Sequence, residues 1–192
     1  MTNKSYKKGG YRSLIVYWLA IEIYDLTLIF CQKYIEKKSR TFDQMIQAAR
    51  SGKQNIVEAS LEKSVESNLK LTGVARASYG ELLEDYADFL RQKNLSLWEK
   101  NDPRTLKIRK IKTLSFKSNK SYKSYGSYKP YLSHPESFAN LMITLCFKQG
   151  YLLDRLLKSI EEKFIREGGF RENLFKKRIS YKSNSHKSNK SY

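Results

Sequence analysis

Thr41-Phe42-Asp43-Gln44-Met45-Ile46-Gln47-Ala48-Ala49-Arg50-Ser51-Gly52-Lys53-Gln54-Asn55-Ile56-Val57-Glu58-Ala59 is the stretch on which the fold turns. Its first four residues have the form of a capping box: the Thr41 hydroxyl accepts the backbone N–H of Gln44, and the Gln44 side chain reaches back. Behind them Met45, Ala48, Ala49, Gly52, Ile56 and Ala59 recur mostly at spacings of three and four, which is one face of a helix. That face is built of small residues and admits a close neighbour. Gly52 costs about 1 kcal/mol against Ala in a helix interior, so tight packing is the expected compensation.

The same periodicity extends in both directions. Upstream, Leu14, Tyr17, Trp18, Ile21, Leu28, Cys31 and Ile35 mark a first helix. Downstream, a third helix starts at Ser64 or Ser67, with Leu69, Thr72, Ala75, Tyr79, Leu82, Tyr86, Phe89 and Leu90 as its stripe. Its far side carries Glu81, Glu84, Asp85, Asp88 and Arg91, and Gly73 and Gly80, seven apart, predict a second seam of close approach. A fourth helix opens at Ser133-His134-Pro135-Glu136, with Ser133 as N-cap and Glu136 reaching back. Its stripe runs through Phe138, Leu141, Met142, Leu145, Leu152, Leu153, Leu156, Ile160 and Phe164, and Gly168-Gly169 stops it. That stripe is long enough to leave part of itself for a neighbouring subunit. No segment reads as a strand.

The fold expected is therefore all-α: an antiparallel four-helix bundle with a long basic low-complexity insertion before the last helix and disordered termini. Residues 1–10 form a basic arm and 11–111 carry the first three helices and a basic connector. Residues 112–131 are the insertion, 132–170 hold the fourth helix, and 171–192 are a basic tail.

The chain has 192 residues and a formal net charge of +18, distributed unevenly. Residues 13–103 sum to −1 and 132–170 to zero, whereas 1–12 carry +4, 104–131 carry +9 and 171–192 carry +6. A neutral body with three cationic arms follows. The arms repeat one another: Lys117-Ser118-Asn119-Lys120-Ser121-Tyr122 recurs as Lys187-Ser188-Asn189-Lys190-Ser191-Tyr192. Asn3-Lys4-Ser5-Tyr6-Lys7 recurs as Asn119-Lys120-Ser121-Tyr122-Lys123, and Tyr122, Tyr125, Tyr128 and Tyr131 fall at every third residue. Such segments bury too little apolar surface to offset about 1–2 kcal/mol of backbone entropy per residue. Two readings fit them. Their lysines neutralise phosphates while their tyrosines stack on unpaired bases, or they are an expanded coding repeat tolerated in loops and termini.

The composition excludes several classes. Two cysteines give no disulfide framework, and two histidines with two distant cysteines give no zinc site. No apolar run approaches the roughly 18–20 residues of a membrane span, and the run Leu14 to Ile21 after Lys7, Lys8 and Arg12, cut short by Glu22 and Asp25, does not read as a cleaved leader. The expected location is cytoplasmic, where free thiols persist. No Walker or dinucleotide spacing surrounds the glycines. Neither His134, at a helix start, nor His186, in the tail, assembles a nucleophilic triad, so no catalytic residue, metal or cofactor is expected. Cys31 and Cys146 read as core thiols. Within the second and third helices Arg50, Asn55, Glu58 and Arg76 are polar residues expected to fix helix register through an interhelical pair.

The second helix resembles the signature of the four helix bundle proteins, the bacterial family often encoded within intervening sequences of the 23S rRNA gene. Ala49, Ser51, Asn55, Ile56 and Glu58 match that signature, while Val57 and Ala59 stand where Ala and Gly are usual. Val74-Ala75-Arg76-Ala77-Ser78-Tyr79-Gly80-Glu81-Leu82 is similar to the family's Ala-Arg-Gly-Ser-containing helix, and Ile23-Tyr24-Asp25-Leu26-Thr27 fits its first. The likeness covers about residues 14–93, and Tyr151 through Gly169 resembles the C-terminal suffix of a long subfamily. The resemblance implies an all-α fold and a ring-shaped homo-oligomer, pentameric in known cases. It also implies, through the accessory proteins of diversity-generating retroelements, nucleic acid and a reverse transcriptase as partners.

The expected function is thus a non-catalytic, oligomeric bundle that binds RNA or single-stranded nucleic acid. The expected contacts are Arg104, Lys107, Arg109, Lys110, Lys112, Lys117, Lys120, Tyr122, Lys123 and Tyr125. The alternative is a protein-interaction scaffold whose arms are incidental.

Overall fold

The computed structural model describes residues 10–113 and 126–188. Residues 1–9, 114–125 and 189–192 lie outside the described residues, and with them Lys117, Lys120, Tyr122, Lys123 and Tyr125. The described chain is helical, with no strand among the described residues. Its elements are α1 (Ile15–Tyr34), α2 (Arg40–Leu61), α3 (Val65–Gln92), α4 (Pro103–Lys110), α5 (Pro135–Glu167) and α6 (Phe170–Ser188).

Helix α1 packs on α2 and α5, α3 packs on the same two, and α4 lies on α5. The core between them is aromatic at one end. Phe30 of α1 meets Tyr86 and Phe89 of α3 edge-on, each at 4.9 Å, and Phe138 of α5 at 5.3 Å. Perpendicular rings set positive edges against negative faces, which adds to the burial itself. The one polar group in that cluster is provided for: the Tyr86 hydroxyl donates to Thr27 Oγ1 at 3.0 Å, which in turn donates to the Ile23 carbonyl at 2.7 Å. On α2 the buried residues are Met45, Ala48, Ala49, Gly52, Ile56 and Ala59. The small Gly52 lets the Tyr79 ring of α3 come so close that a Cβ there would lie 2.6 Å from its Cζ.

Several details differ from the sequence expectations. The cap of α2 is Ser39, whose hydroxyl accepts the Phe42 N–H at 3.3 Å, and Thr41 already lies inside the helix. The N-cap of α5 is His134 rather than Ser133, with no side-chain cap. Glu136 does not reach back; its carboxylate accepts the Trp98 indole N–H at 3.0 Å and the Ser96 N–H at 3.3 Å, tying the segment after α3 to α5. Helix α1 is apolar nearly all round, so its deepest stripe is Leu19, Ile23, Leu26 and Phe30. Ile21 and Leu28, expected inside, are only half-buried. By length and composition α1 could cross a membrane, contrary to the reading that no run came close; ten of its residues are buried in the core.

Gly73 and Gly80 form no seam: a Cβ on Gly73 would meet nothing within 4 Å. The second close approach is at Gly150, where the Arg76 guanidinium lies 3.1 Å from an added Cβ. The C-terminal stop is as read, with Gly168 at φ +74° and its N–H on the Phe164 carbonyl at 2.8 Å. Beyond it, the tail expected to be disordered is helix α6 as far as Ser188.

Candidate nucleic-acid interface

Residues 104–112, expected as a connector, are largely helix α4. The Asp102-Pro103 pair is its start signal. Asp102 is the N-cap and accepts the Arg104 N–H at 2.8 Å, while Pro103 supplies the preset first turn. Thr105 and Ile108, three apart, are buried. That orientation leaves Lys107, Arg109, Lys110 and Lys112 exposed, with no acidic residue between 103 and 113.

Arg104 belongs to a different arrangement. Its guanidinium donates to Asp102 at 3.0 and 2.7 Å and lies 4.0 Å from the centre of the Trp98 ring. The Arg104 side chain and backbone N–H hold the Asp102 carboxyl below the usual carboxylate range. Arg104 therefore braces α4 against the preceding segment, and its charge is already answered.

Between α4, residues 97–100 and α5 lies a cavity of about 810 Å³. Ile143, Phe147 and Tyr151 of α5 line its apolar side, and Lys100, Arg109, Lys148 and the carboxylate of Glu99 bring charge to it. Phe147 and Tyr151, four apart and so adjacent on the helix, are 58% and 61% exposed. Lys148 donates to the Ile111 carbonyl at 3.0 Å, closing the end of α4 onto α5; its half-burial lowers its pKa, opposed by the Glu22 carboxylate. Thr105 also lines the cavity, and its buried hydroxyl has no hydrogen-bond partner among the described residues.

The insertion is fastened at its distal end. Tyr128 is 3% exposed, and its hydroxyl donates to the buried carboxylate of Glu22 on α1 at 3.0 Å. Tyr131 faces Trp98 with ring centres 6.5 Å apart. Half of the tyrosine series expected to stack on bases is thus committed to the body. In the tail, Arg171, Lys177, Arg178 and Lys182 of α6 are exposed, and Lys176 pairs with Glu172 at 2.6 Å.

The four signature residues do not meet. Asn55 turns back on its own helix, donating to the Ser51 carbonyl at 2.9 Å. Arg50 and Glu58 are exposed and make no ion pair among the described residues. Arg76 pairs with Asp154 of α5 at 2.8 Å, an interhelical contact that joins α3 to α5 through a partner the sequence did not single out. Among the described residues no three potential metal ligands cluster. The groove was missed in the sequence because Phe147 and Tyr151 sit off the main stripe of α5; their spacing of four was the available signal.

No family model, curated protein or solved structure matches this chain.

Proposed function

We propose that the chain is a non-catalytic, nucleic-acid-binding protein that takes RNA or single strands and acts as a homo-oligomer. The observation that carries this reading is the cation-only surface of α4 and the residues just after it, where Lys107, Arg109, Lys110 and Lys112 face solvent on an otherwise neutral body. Phosphates are held by such point charges, and oligomerisation multiplies weak contacts. In this reading α1, α2, α3 and α5 make an antiparallel four-helix bundle related to the intervening-sequence family. The ring is pentameric, as that resemblance implies, the location is cytoplasmic without membrane attachment, and the protein partner is of reverse-transcriptase type. The basic insertion supplies further phosphate contacts through Lys117, Lys120 and Lys123.

The test is binding of labelled single-stranded RNA across a salt series. Lys107→Glu with Lys110→Glu should weaken binding strongly, and Lys117, Lys120 and Lys123→Ser should lower the salt slope by about 0.7 per lysine. Serine substitution is the suitable change, because excision through residue 130 would also remove the buried Tyr128. Absence of binding by the unaltered chain at low salt would sink the reading.

One observation favours the second reading, a protein-interaction scaffold. Ile165, Leu174, Phe175, Ile179 and Tyr181 at the C-terminal end are all more than half exposed. An apolar surface of that kind suits a protein partner. Retained self-association without RNA binding would favour it.

A further inference from the structure

We propose that the groove between α4 and α5 is a base pocket, in which an unpaired base of a single-stranded nucleic acid seats on Phe147 and Tyr151. This rests on the nucleic-acid reading above and assigns it a place and a chemistry. Five observations converge. The cavity, about 810 Å³, falls within the range of roughly 300–1,000 Å³ common for small-ligand sites. Its aromatic wall is exposed: Phe147 and Tyr151 present ring surface to solvent at 58% and 61%. Arg155, one further turn along α5, lies 6.0 Å from the Tyr151 ring centre and continues the row. Aromatic rings stack on any base, and a neighbouring guanidinium adds a planar cation to the platform.

Charge complementarity decides the occupant. Lys100, Arg109 and Lys148 outnumber the single carboxylate, Glu99, at the groove, and Lys107, Lys110 and Lys112 extend the cationic surface along α4 and just past its end. An apolar peptide would leave those charges unanswered; a strand answers them with phosphates while its base takes the apolar wall. The second independent sign is Thr105. It is 5% exposed, lines the groove, and its hydroxyl lacks a partner among the described residues. A buried unpaired hydroxyl is costly, and a base edge offers both donors and acceptors to satisfy it. A duplex keeps its bases stacked and paired, so the groove selects single strands.

The experiment uses the full chain and a labelled single-stranded oligoribonucleotide, with the matched duplex as comparison. Phe147→Ala with Tyr151→Ala should weaken single-strand binding by about tenfold or more and leave the salt slope unchanged. Both side chains are exposed, so the fold tolerates their loss. Thr105→Val, which removes only the unpaired hydroxyl, should weaken binding without lowering stability. Lys107→Glu with Lys110→Glu should instead reduce the salt slope. Photocrosslinking from 4-thiouridine in the strand should map to Phe147 or Tyr151. If the aromatic variant binds as the unaltered chain does while the lysine variant fails, the base pocket is overturned and the nucleic-acid reading stands. If the unaltered chain binds no strand, both fall. If the aromatic variant changes the subunit number and leaves RNA affinity intact, the groove is a contact between copies of the chain and the proposal is overturned.

Discussion

At the scale of single residues, glycine is the most informative type in this chain. Gly52 faces the ring of Tyr79, itself 1% exposed and unable to swing away. Gly52→Ala gains about 1 kcal/mol of helix propensity but must displace that ring. The expected net is a destabilisation of about 1–3 kcal/mol, read from urea unfolding. Gly73 has open space where its Cβ would stand. Gly73→Ala should therefore stabilise by up to about 1 kcal/mol in the same assay. The sequence distinguished these two only in part: periodicity places a glycine on a face, but not the neighbour it meets. The cysteines are a second case. Burial pushes the Cys31 thiol up to about 12 and the Cys146 thiol higher still, with Asp85 adding to both. Thiolate is the reactive form, so neither should alkylate at neutral pH until the chain unfolds, which mass spectrometry after iodoacetamide would show.

At the scale of elements, the boundaries hold the lessons. Ser39→Ala should cost about 1 kcal/mol because its hydroxyl caps α2, whereas Thr41→Ala should cost only a few tenths; thermal unfolding separates them. The capping pattern read at Thr41 lay two residues too late, because the helix already begins at Arg40. Helix α4 was misread for a similar reason. Its eight residues carry only two buried positions, Thr105 and Ile108, too few to show a period, so the evidence lay in Asp102 and Pro103 instead. The long helices were legible because each carries a buried stripe over many turns; α2's six buried residues are those its pattern named. Tyr128 was not legible, since a repeated Lys/Ser/Tyr motif gives no hint that one copy lies over Glu22. Tyr128→Phe removes that hydrogen bond and should destabilise by about 1–3 kcal/mol.

At the scale of the whole molecule, charge and core separate. The body is held by apolar packing and buried aromatics, and its ion pairs lie at the surface; Arg76–Asp154, with side chains 40% and 56% exposed, is worth little by itself. Salt should therefore leave stability nearly unchanged while it abolishes the RNA binding proposed above. Alkali should do the opposite to stability. Tyr79, Tyr86, Cys31 and Cys146 are all raised by burial. In the unfolded chain they lose protons at ordinary values, about 8.5 for thiols and about 10 for tyrosines. The folded state then holds more protons, so stability is full below about pH 8 and falls as pH rises beyond 9. Thermal midpoints across that interval are the check.

The chain has two tryptophans. Trp18 sits near the N-terminal end of α1, with its indole N–H on the Arg12 carbonyl at 2.8 Å. Trp98 stands at the groove, gripped by Arg104 and Glu136. A guanidinium 4.0 Å from an indole ring is an electronic neighbour whose displacement alters emission. Trp18→Phe would leave a chain whose sole indole is lodged where the strand is expected to arrive. Such a chain carries its own optical gauge, able to report arrival and departure in real time without any added dye.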